Sequence, residues 1–161
     1  MRFILIFLLS GFSLFLSGQI VEADQSGTHA PDFEFTMAGG SKKSLSDYKG
    51  KVVYLAFWAS WCKPCISGFN KYREIRNQMD EIGVVLLNIS VDKKTDAWKK
   101  ATKEQNIQGD HAIVDRNDIQ DLYQLYSVPR YEIIGKEGEF LFLSDDPGRN
   151  VLDNFKAFVI Q

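Results

Sequence analysis

Apolar residues form two nearly continuous runs in this chain, at residues 52–59 and 84–91. Runs of this kind are expected for strands of a parallel sheet that is covered by helices on both faces. Between the runs, apolar residues recur at steps of three or four, which predicts one buried face of a helix that Gly83 closes. The residues of that face are Phe69, Tyr72, Ile75, Met79 and Ile82.

Shorter patterns surround this strand–helix–strand unit. Residues 32–35 alternate like a half-buried strand, and the turn signal at residues 39–41 predicts an N-terminal β-hairpin that returns through residues 43–45. A second helix is predicted from Thr95 to Gln105, followed by a strand at residues 112–114.

The segment after that strand predicts a helix that Asp118 caps. Its spacing predicts that Ile119, Leu122 and Tyr126 pack inward. Strands at residues 131–134 and 139–143 then flank a hairpin turn signal, and a last helix is predicted to begin near Asn150. This order predicts an α/β fold with a mixed central sheet, parallel in one half and antiparallel in the other, flanked by helices.

The first 23 residues differ from the rest of the chain. Arg2 precedes a long apolar run that ends in small and polar residues, which is the pattern of a secretory signal peptide, with cleavage after Gly18 or Ala23. The alternative is an uncleaved N-terminal anchor that tethers the protein to the membrane. Both predict that the folded part, a single domain over residues 24–161, lies outside the cytoplasm.

Charge and cysteine usage narrow the classes of function. The formal net charge of −2 and the pI of about 5.7 provide no basic face, so we expect neither nucleic acid nor an anionic membrane surface as a partner. The two cysteines of the chain, Cys62 and Cys65, both belong to one CxxC motif, which leaves no thiol for a separate structural disulfide. The pair is therefore predicted to be reactive.

The position of the CxxC motif indicates its chemistry. Cys62 follows the first apolar run and is predicted at the start of a helix, where peptide dipoles and unpaired N–H groups favour a thiolate. Lys63 adds a positive charge, and Pro64 suits the first helical turn because it has no N–H. Cys65, one turn further on, is placed to resolve a mixed disulfide. The sequence predicts thiol-disulfide exchange, with no cofactor.

Several motifs together resemble the thioredoxin superfamily, and within it the exported TlpA-like branch, which includes oxidoreductases that serve cytochrome c maturation. The resemblance covers roughly residues 30–161. The motifs are Ala30-Pro31-Asp32-Phe33, residues 45–53, Phe57-Trp58-Ala59-Ser60-Trp61-Cys62-Lys63-Pro64-Cys65, Ile89-Ser90-Val91-Asp92 and Val128-Pro129-Arg130-Tyr131.

The resemblance implies further features of the site and of its partners. Val128-Pro129 would be a cis peptide bond that places the Val128 backbone beside Cys62. Arg130 would lie at the rim, either as a solvated charge or as a group that stabilises the thiolate or docks a substrate. The implied function is reduction of protein disulfides in the cell envelope by a monomer that a membrane electron donor re-reduces, with Trp61 beside the reactive thiol.

Departures from the relatives leave one role open. Many relatives carry a buried acid near the motif, at positions that are Ala56 and Gly68 here, and Gly135 replaces a common Asp. The group that takes the proton from Cys65 is therefore unassigned, with Glu34, Asp92 or water as candidates.

Two other functions compete. A peroxiredoxin-like peroxidase needs a Thr three residues before its reactive Cys, where this chain has Ala59, and Trp61 would fill the approach. A metal carrier would need more ligands than two thiolates, and His29 and His111 are isolated in the sequence. We therefore predict no metal site.

Overall fold

A computed structural model of the protein describes residues 27–144, apart from the side chains at positions 71, 72, 74–77, 80, 143 and 144. The predicted N-terminal signal segment and the predicted helix near Asn150 lie outside the described residues. The strands are β1 (Glu34–Met37), β2 (Lys42–Ser44), β3 (Val53–Trp58), β4 (Val85–Ser90), β5 (Asp110–Ile113), β6 (Arg130–Ile134) and β7 (Phe140–Ser144). The helices are α1 (Lys63–Glu81), α2 (Thr95–Glu104) and α3 (Arg116–Gln120), with a 3-10 turn at Leu45–Tyr48.

The described strands form one mixed sheet in the order β2-β1-β5-β4-β3-β6-β7. The three central strands β3, β4 and β5 are parallel, β6 and β7 continue antiparallel beyond β3, and the β1–β2 hairpin adds antiparallel to β5. The predicted α/β fold with an N-terminal hairpin is confirmed. Because β3 and β4 are parallel neighbours, their carboxyl ends meet at one edge of the sheet.

Strand β3 is buried along its whole length because side-chain layers cover both of its faces. On one face the Trp58 ring packs edge-on against Phe69 of α1, with centroids 5.1 Å apart. On the opposite face Phe57 packs against Tyr123 at 5.3 Å and against Phe33 at 6.0 Å. Alternation along the strand thus assigns Trp58 to the α1 face and Phe57 to the other.

Helix α1 ends where the sequence predicts. It runs to Glu81, and Gly83 adopts a φ of 74°, a left-handed conformation that glycine reaches without a Cβ clash. Phe69 and Met79 of the predicted stripe are buried and Ile82 is half-buried. The side chains of Tyr72 and Ile75 lie outside the described set.

The prediction for the segment after β5 is wrong in two respects. Asp115, and not Asp118, caps α3, because its side chain accepts a hydrogen bond from the Asn117 N–H at 2.9 Å. Ile119 is buried as predicted, but Leu122 is 44% exposed and Tyr126 is 68% exposed.

Helix α3 ends before the residues whose spacing predicted a buried face. It ends at Gln120, and Gln124 then takes a positive φ of 50°, so the chain leaves the helical period before it reaches Tyr126. Tyr123 and Leu125 fill the interior instead.

No helix among residues 27–144 has the length and apolar character that a membrane crossing requires.

Burial predicts different costs for the same substitution at two leucines. Leu55 on β3 is 0% exposed, whereas Leu122 is 44% exposed. We expect Leu55→Ala to lower the free energy of unfolding by about 3–5 kcal/mol and Leu122→Ala by less than about 1 kcal/mol. Denaturant titration of both variants in the oxidised state measures the difference, and equal losses would contradict the packing described here.

Candidate active site

The turn between β3 and α1 brings the two sulfurs together. Cys62 and Cys65 form a disulfide with Cα atoms 5.3 Å apart. Cys62 directly precedes the first helical residue, Lys63, and its sulfur accepts a hydrogen bond from the Cys65 backbone N–H at 3.2 Å. This sulfur therefore occupies the place of a side-chain N-cap, where helix dipoles favour a negative charge.

Both cysteines are buried, whereas the residues next to them in the chain are exposed. Cys62 is 4% exposed and Cys65 is 0% exposed. Trp61, Lys63 and Pro64 are all exposed around them, with Trp61 at 62%. Trp61, Lys63 and Pro64 thus present apolar and cationic groups to solvent next to the two cysteines in the chain, and Pro64 lies in the first turn of α1 as predicted.

A buried aspartate holds the chain just before the motif. Asp92 follows β4, and its two carboxyl oxygens accept hydrogen bonds from the Ser60 N–H at 2.8 Å and the Ser60 hydroxyl at 2.7 Å. The Ser90 hydroxyl also donates to Asp92, at 2.8 Å. These bonds tie the turn that carries Cys62 to the end of the neighbouring parallel strand.

The Val128-Pro129 peptide bond is cis, which confirms the expectation from the resemblance. The next residue, Arg130, begins β6 and pairs with Phe57 in an antiparallel register. The loop that contains the cis bond therefore lies at the sheet edge where β3 ends and the CxxC turn begins. Arg116 holds this loop through hydrogen bonds that its guanidinium donates to the carbonyls of Leu125 and Tyr126.

A buried acid that sequence reasoning missed lies two residues beyond Arg130. Glu132 is 1% exposed, and its carboxyl oxygen Oε1 is 3.5 Å from the Nε atom of Arg130. Burial raises the pKa of Glu132 to about 8, against the smaller opposing effect of the Arg130 charge. The carboxyl is therefore largely protonated at neutral pH.

The strand register places this acid away from Cys65. Glu132 pairs with Leu55, and so belongs to the sheet face of Phe57 and Tyr123, opposite to the face that α1 covers. The sequence did contain a signal, since a Glu inside the apolar strand of residues 131–134 is unusual for a segment next to a central strand. That signal could have identified a buried carboxyl but not its arginine partner.

The candidates for accepting the Cys65 proton are arranged as follows. Glu34 is exposed on β1, three strands away from β3 in the sheet. Asp92 is buried, and both of its oxygens already accept hydrogen bonds. Ala56 and Gly68 are buried, without a carboxyl group at either place. Among residues 27–144, no carboxyl group forms a hydrogen bond with either sulfur, and the Cys65 N–H is the donor that reaches Cys62.

The two histidines do not join the site. His29 forms an isolated bridge with Glu139, and His111 hydrogen-bonds through Nε2 to the Ile107 carbonyl at 2.9 Å. Burial lowers the pKa of His111 and so favours its neutral form. Within the described part of the chain, no group of three or more His, Cys, Asp or Glu side chains is arranged to hold a metal ion.

Comparison with known proteins agrees with this geometry. The AhpC/TSA family pattern matches residues 26–159. The thiol-disulfide oxidoreductase ResA of Bacillus cereus is 31% identical over 145 residues, which cover 87% of this chain and 83% of that protein. The thioredoxin-like protein YneN of Bacillus subtilis is 32% identical over 115 residues, covering 71% of this chain and 68% of that protein.

Solved structures match as well. A crystal structure from Chlorobium tepidum, assigned as a thiol:disulfide interchange protein DsbE, superposes with a TM-score of 0.76 at 26% identity. The match covers 83% of this chain and 97% of that one. The thioredoxin-like fold and the resemblance to the TlpA-like branch are thereby confirmed.

The Asp92 network predicts a specific loss of stability. We expect Asp92→Ala to lower the free energy of unfolding by about 2–4 kcal/mol, because the Ser60 N–H and two serine hydroxyls lose their acceptor. Asp118→Ala, at an exposed aspartate in the first turn of α3, should cost less than about 1 kcal/mol. Chemical denaturation measures both, and a loss at Asp118 as large as that at Asp92 would contradict the role given to Asp92.

The raised pKa of Glu132 predicts how stability depends on pH. A glutamate in the unfolded chain ionises near its ordinary pKa of 4.5, whereas the folded chain holds the proton up to about 8. The folded state then binds more protons, so stability is greatest below pH 4.5 and is lost as pH rises through 8. We expect Glu132→Gln to remove this loss, which is on the order of 4 kcal/mol.

The measurement is the difference in unfolding free energy between Glu132→Gln and the native chain from pH 5 to 9. It should grow with pH and level off above about 8. Glu137→Gln, in the exposed β6–β7 turn, is the matched control and should give a flat difference. If the difference for Glu132→Gln does not change with pH, Glu132 is not a buried carboxyl with a raised pKa.

Proposed function

From the premise that this chain belongs to the AhpC/TSA family and is a thiol-disulfide oxidoreductase, we propose that it is exported and reduces disulfides of cell-envelope proteins. The export proposal is supported by the signal-like pattern of residues 1–23. The substrate proposal is supported by the similarity to proteins named ResA and DsbE. A role in cytochrome c maturation is part of the same proposal.

The observation that carries the thiol-exchange part of this proposal is the Cys62 sulfur at the amino end of α1, with the Cys65 N–H donating to it. In the reduced protein the same N–H and the helix dipole would stabilise a Cys62 thiolate. Exposed Lys63 adds a positive charge next to it. Cys62 is thus the attacking thiol and Cys65, buried behind it, the resolving thiol.

The reaction has two exchanges. The Cys62 thiolate attacks one sulfur of the substrate disulfide, that S–S bond breaks, and the other substrate sulfur leaves as a thiolate. Cys65 then loses its proton to solvent and attacks the Cys62 sulfur, which breaks the mixed disulfide and releases the second substrate thiolate. Two electrons pass to the substrate, and the internal disulfide seen in this structure forms.

The loop around the cis peptide bond would align the substrate. Its position at the sheet edge beside the CxxC turn leaves the half-buried Val128 backbone available to an extended segment. Exposed Trp61 and Tyr126 provide apolar surface at this edge. A two-electron donor of dithiol chemistry, which we place in the membrane, would return the Cys62–Cys65 pair to its reduced form.

Trapping tests the roles of the two cysteines. We expect Cys65→Ser, expressed with its N-terminal segment, to accumulate mixed disulfides through Cys62, because no second thiol can release the partner. Cys62→Ser should accumulate none. Non-reducing electrophoresis of envelope and cytoplasmic fractions measures both, and the conjugates should appear in the envelope fraction.

Several results would count against the proposal. Equal trapping by both variants would contradict the assignment of roles, and conjugates confined to the cytoplasm would contradict export. In cells that lack the protein, the captured partners should accumulate as disulfides. Their accumulation as free thiols would instead show an oxidase. Turnover of hydrogen peroxide faster than that of protein disulfides would favour the peroxidase alternative.

A further inference from the structure

Arg130 directly follows the cis peptide bond at the edge of the sheet. One part of its side chain is buried and another part is exposed to solvent. The Nε atom is buried and faces Glu132 at 3.5 Å. The side chain is 26% exposed, and within residues 27–144 its terminal nitrogens have no hydrogen-bond partner. The outer edge of the guanidinium is therefore open to a ligand.

Apart from Arg130, the groups around Glu132 do not offset the negative charge that its carboxyl group would carry when ionised. Leu55 of β3 lies opposite Glu132, and Phe57 lies opposite Arg130. On the other side Glu132 pairs in register with Leu143 of β7, so neither neighbouring strand places a charged residue opposite it. From the segment after α3, Tyr123 faces it, and burial together with the charges of Glu132 and Asp32 raises the pKa of Tyr123 so far that the phenol stays neutral. The Tyr123 hydroxyl donates to the Pro31 carbonyl.

Arg130 is thus the cation that faces Glu132 from the described residues. Asp32, from the segment before β1, is exposed and accepts a hydrogen bond from the Ser46 N–H at 2.9 Å. A neutral Glu132 carboxyl can still contact Arg130, but it leaves the arginine charge uncompensated. That charge lies at the edge of the sheet where a substrate segment would bind.

We propose that Arg130, positioned by the buried Glu132, is a specificity-determining residue that binds an acidic side chain next to the substrate's disulfide. The outward edge of a guanidinium matches a carboxylate with two parallel hydrogen bonds. Exposed Lys63 lies at the same edge and adds to the positive field. Asp92 is buried, and its oxygens accept hydrogen bonds from Ser60 and Ser90.

This inference rests on the proposed function, since it specifies which disulfide substrates the same site prefers. It also predicts a pH dependence with a defined origin. Burial raises the pKa of Glu132 to about 8, so above that pH its carboxylate compensates Arg130 and the selection for acidic substrates weakens. Titration of Cys62 affects acidic and neutral substrates alike and cancels from their ratio.

The experiment compares three disulfide peptides. One has Glu before the disulfide and Gln after it, the second has Gln before and Glu after, and the third has Gln in both places. The reduced full-length chain is mixed with each peptide at pH 7 and low salt, and the second-order rate constant is measured. We expect one of the Glu peptides to react about 3 to 10 times faster than the Gln peptide. Arg130→Gln should bring this ratio close to 1.

Controls separate a specific contact from general charge. Lys99→Gln removes one exposed positive charge from α2 and should keep the ratio. Arg130→Lys keeps the charge without the planar fork, and should give an intermediate ratio. At pH 9 the ratio should fall in the native chain but persist in Glu132→Gln, a readout that a merely structural role of Glu132 would not produce.

The outcomes are distinct. If the native chain reduces all three peptides with equal rate constants, the inference is wrong while the proposed function stands. If it reduces none of them, the proposed function fails and this inference fails with it. If Arg130→Gln does not fold, the rate ratio of Arg130→Lys tests the role of Arg130. The change in the rate ratio of the native chain between pH 7 and 9 tests the role of Glu132. A ratio that does not change with pH would overturn that role.

Discussion

The hydrogen bond from the Cys65 N–H to the Cys62 sulfur is the interaction on which the rest of this site depends. It exists because α1 begins directly after Cys62, so an N–H group of the first helical turn, which has no partner within a helix, points at the sulfur. The helix start is in turn fixed by Asp92, which binds both the backbone and the hydroxyl of Ser60. A parallel neighbour strand thus sets the geometry of the reactive turn.

The sheet divides the chemistry between its two faces. The sulfurs, α1 and Trp58 belong to one face, where thiol exchange takes place. Arg130 and Glu132 belong to the other face, where the Arg130 side chain is 26% exposed and that of Glu132 is 1% exposed. A carboxyl on the far face is poorly placed to take a proton from Cys65, which is why we assign Glu132 to substrate selection and leave that proton to solvent. The period-two alternation of β3 and β6 separates the two roles.

Much of this could be predicted from the sequence because local signals and tertiary structure agree there. The CxxC motif after the apolar run, the end of α1 at Gly83 and the β6–β7 hairpin are all set by residues close together in the chain. The segment after β5 failed because spacing alone cannot show where a helix stops, and Leu122 and Tyr126 lie beyond its end. The pairing of Glu132 with Arg130, and of Asp92 with Ser60, required the positions of neighbouring side chains.

The cost of Glu132 bears on why it is present. A buried carboxyl beside an arginine usually stabilises a protein less than apolar residues of similar volume would. This strand is otherwise apolar, and Ile133 and Ile134 are buried beside it, so an apolar residue at 132 would fit the pattern. What the carboxyl adds is a polar neighbour for the buried Nε of Arg130, 3.5 Å from Oε1, while the arginine side chain stays 26% exposed. Groups with strongly shifted pKa values cluster at functional sites. Glu132 is such a group, and it lies two residues from Arg130, which begins β6 at the reactive edge of the sheet. Its presence is therefore better explained by recognition than by stability.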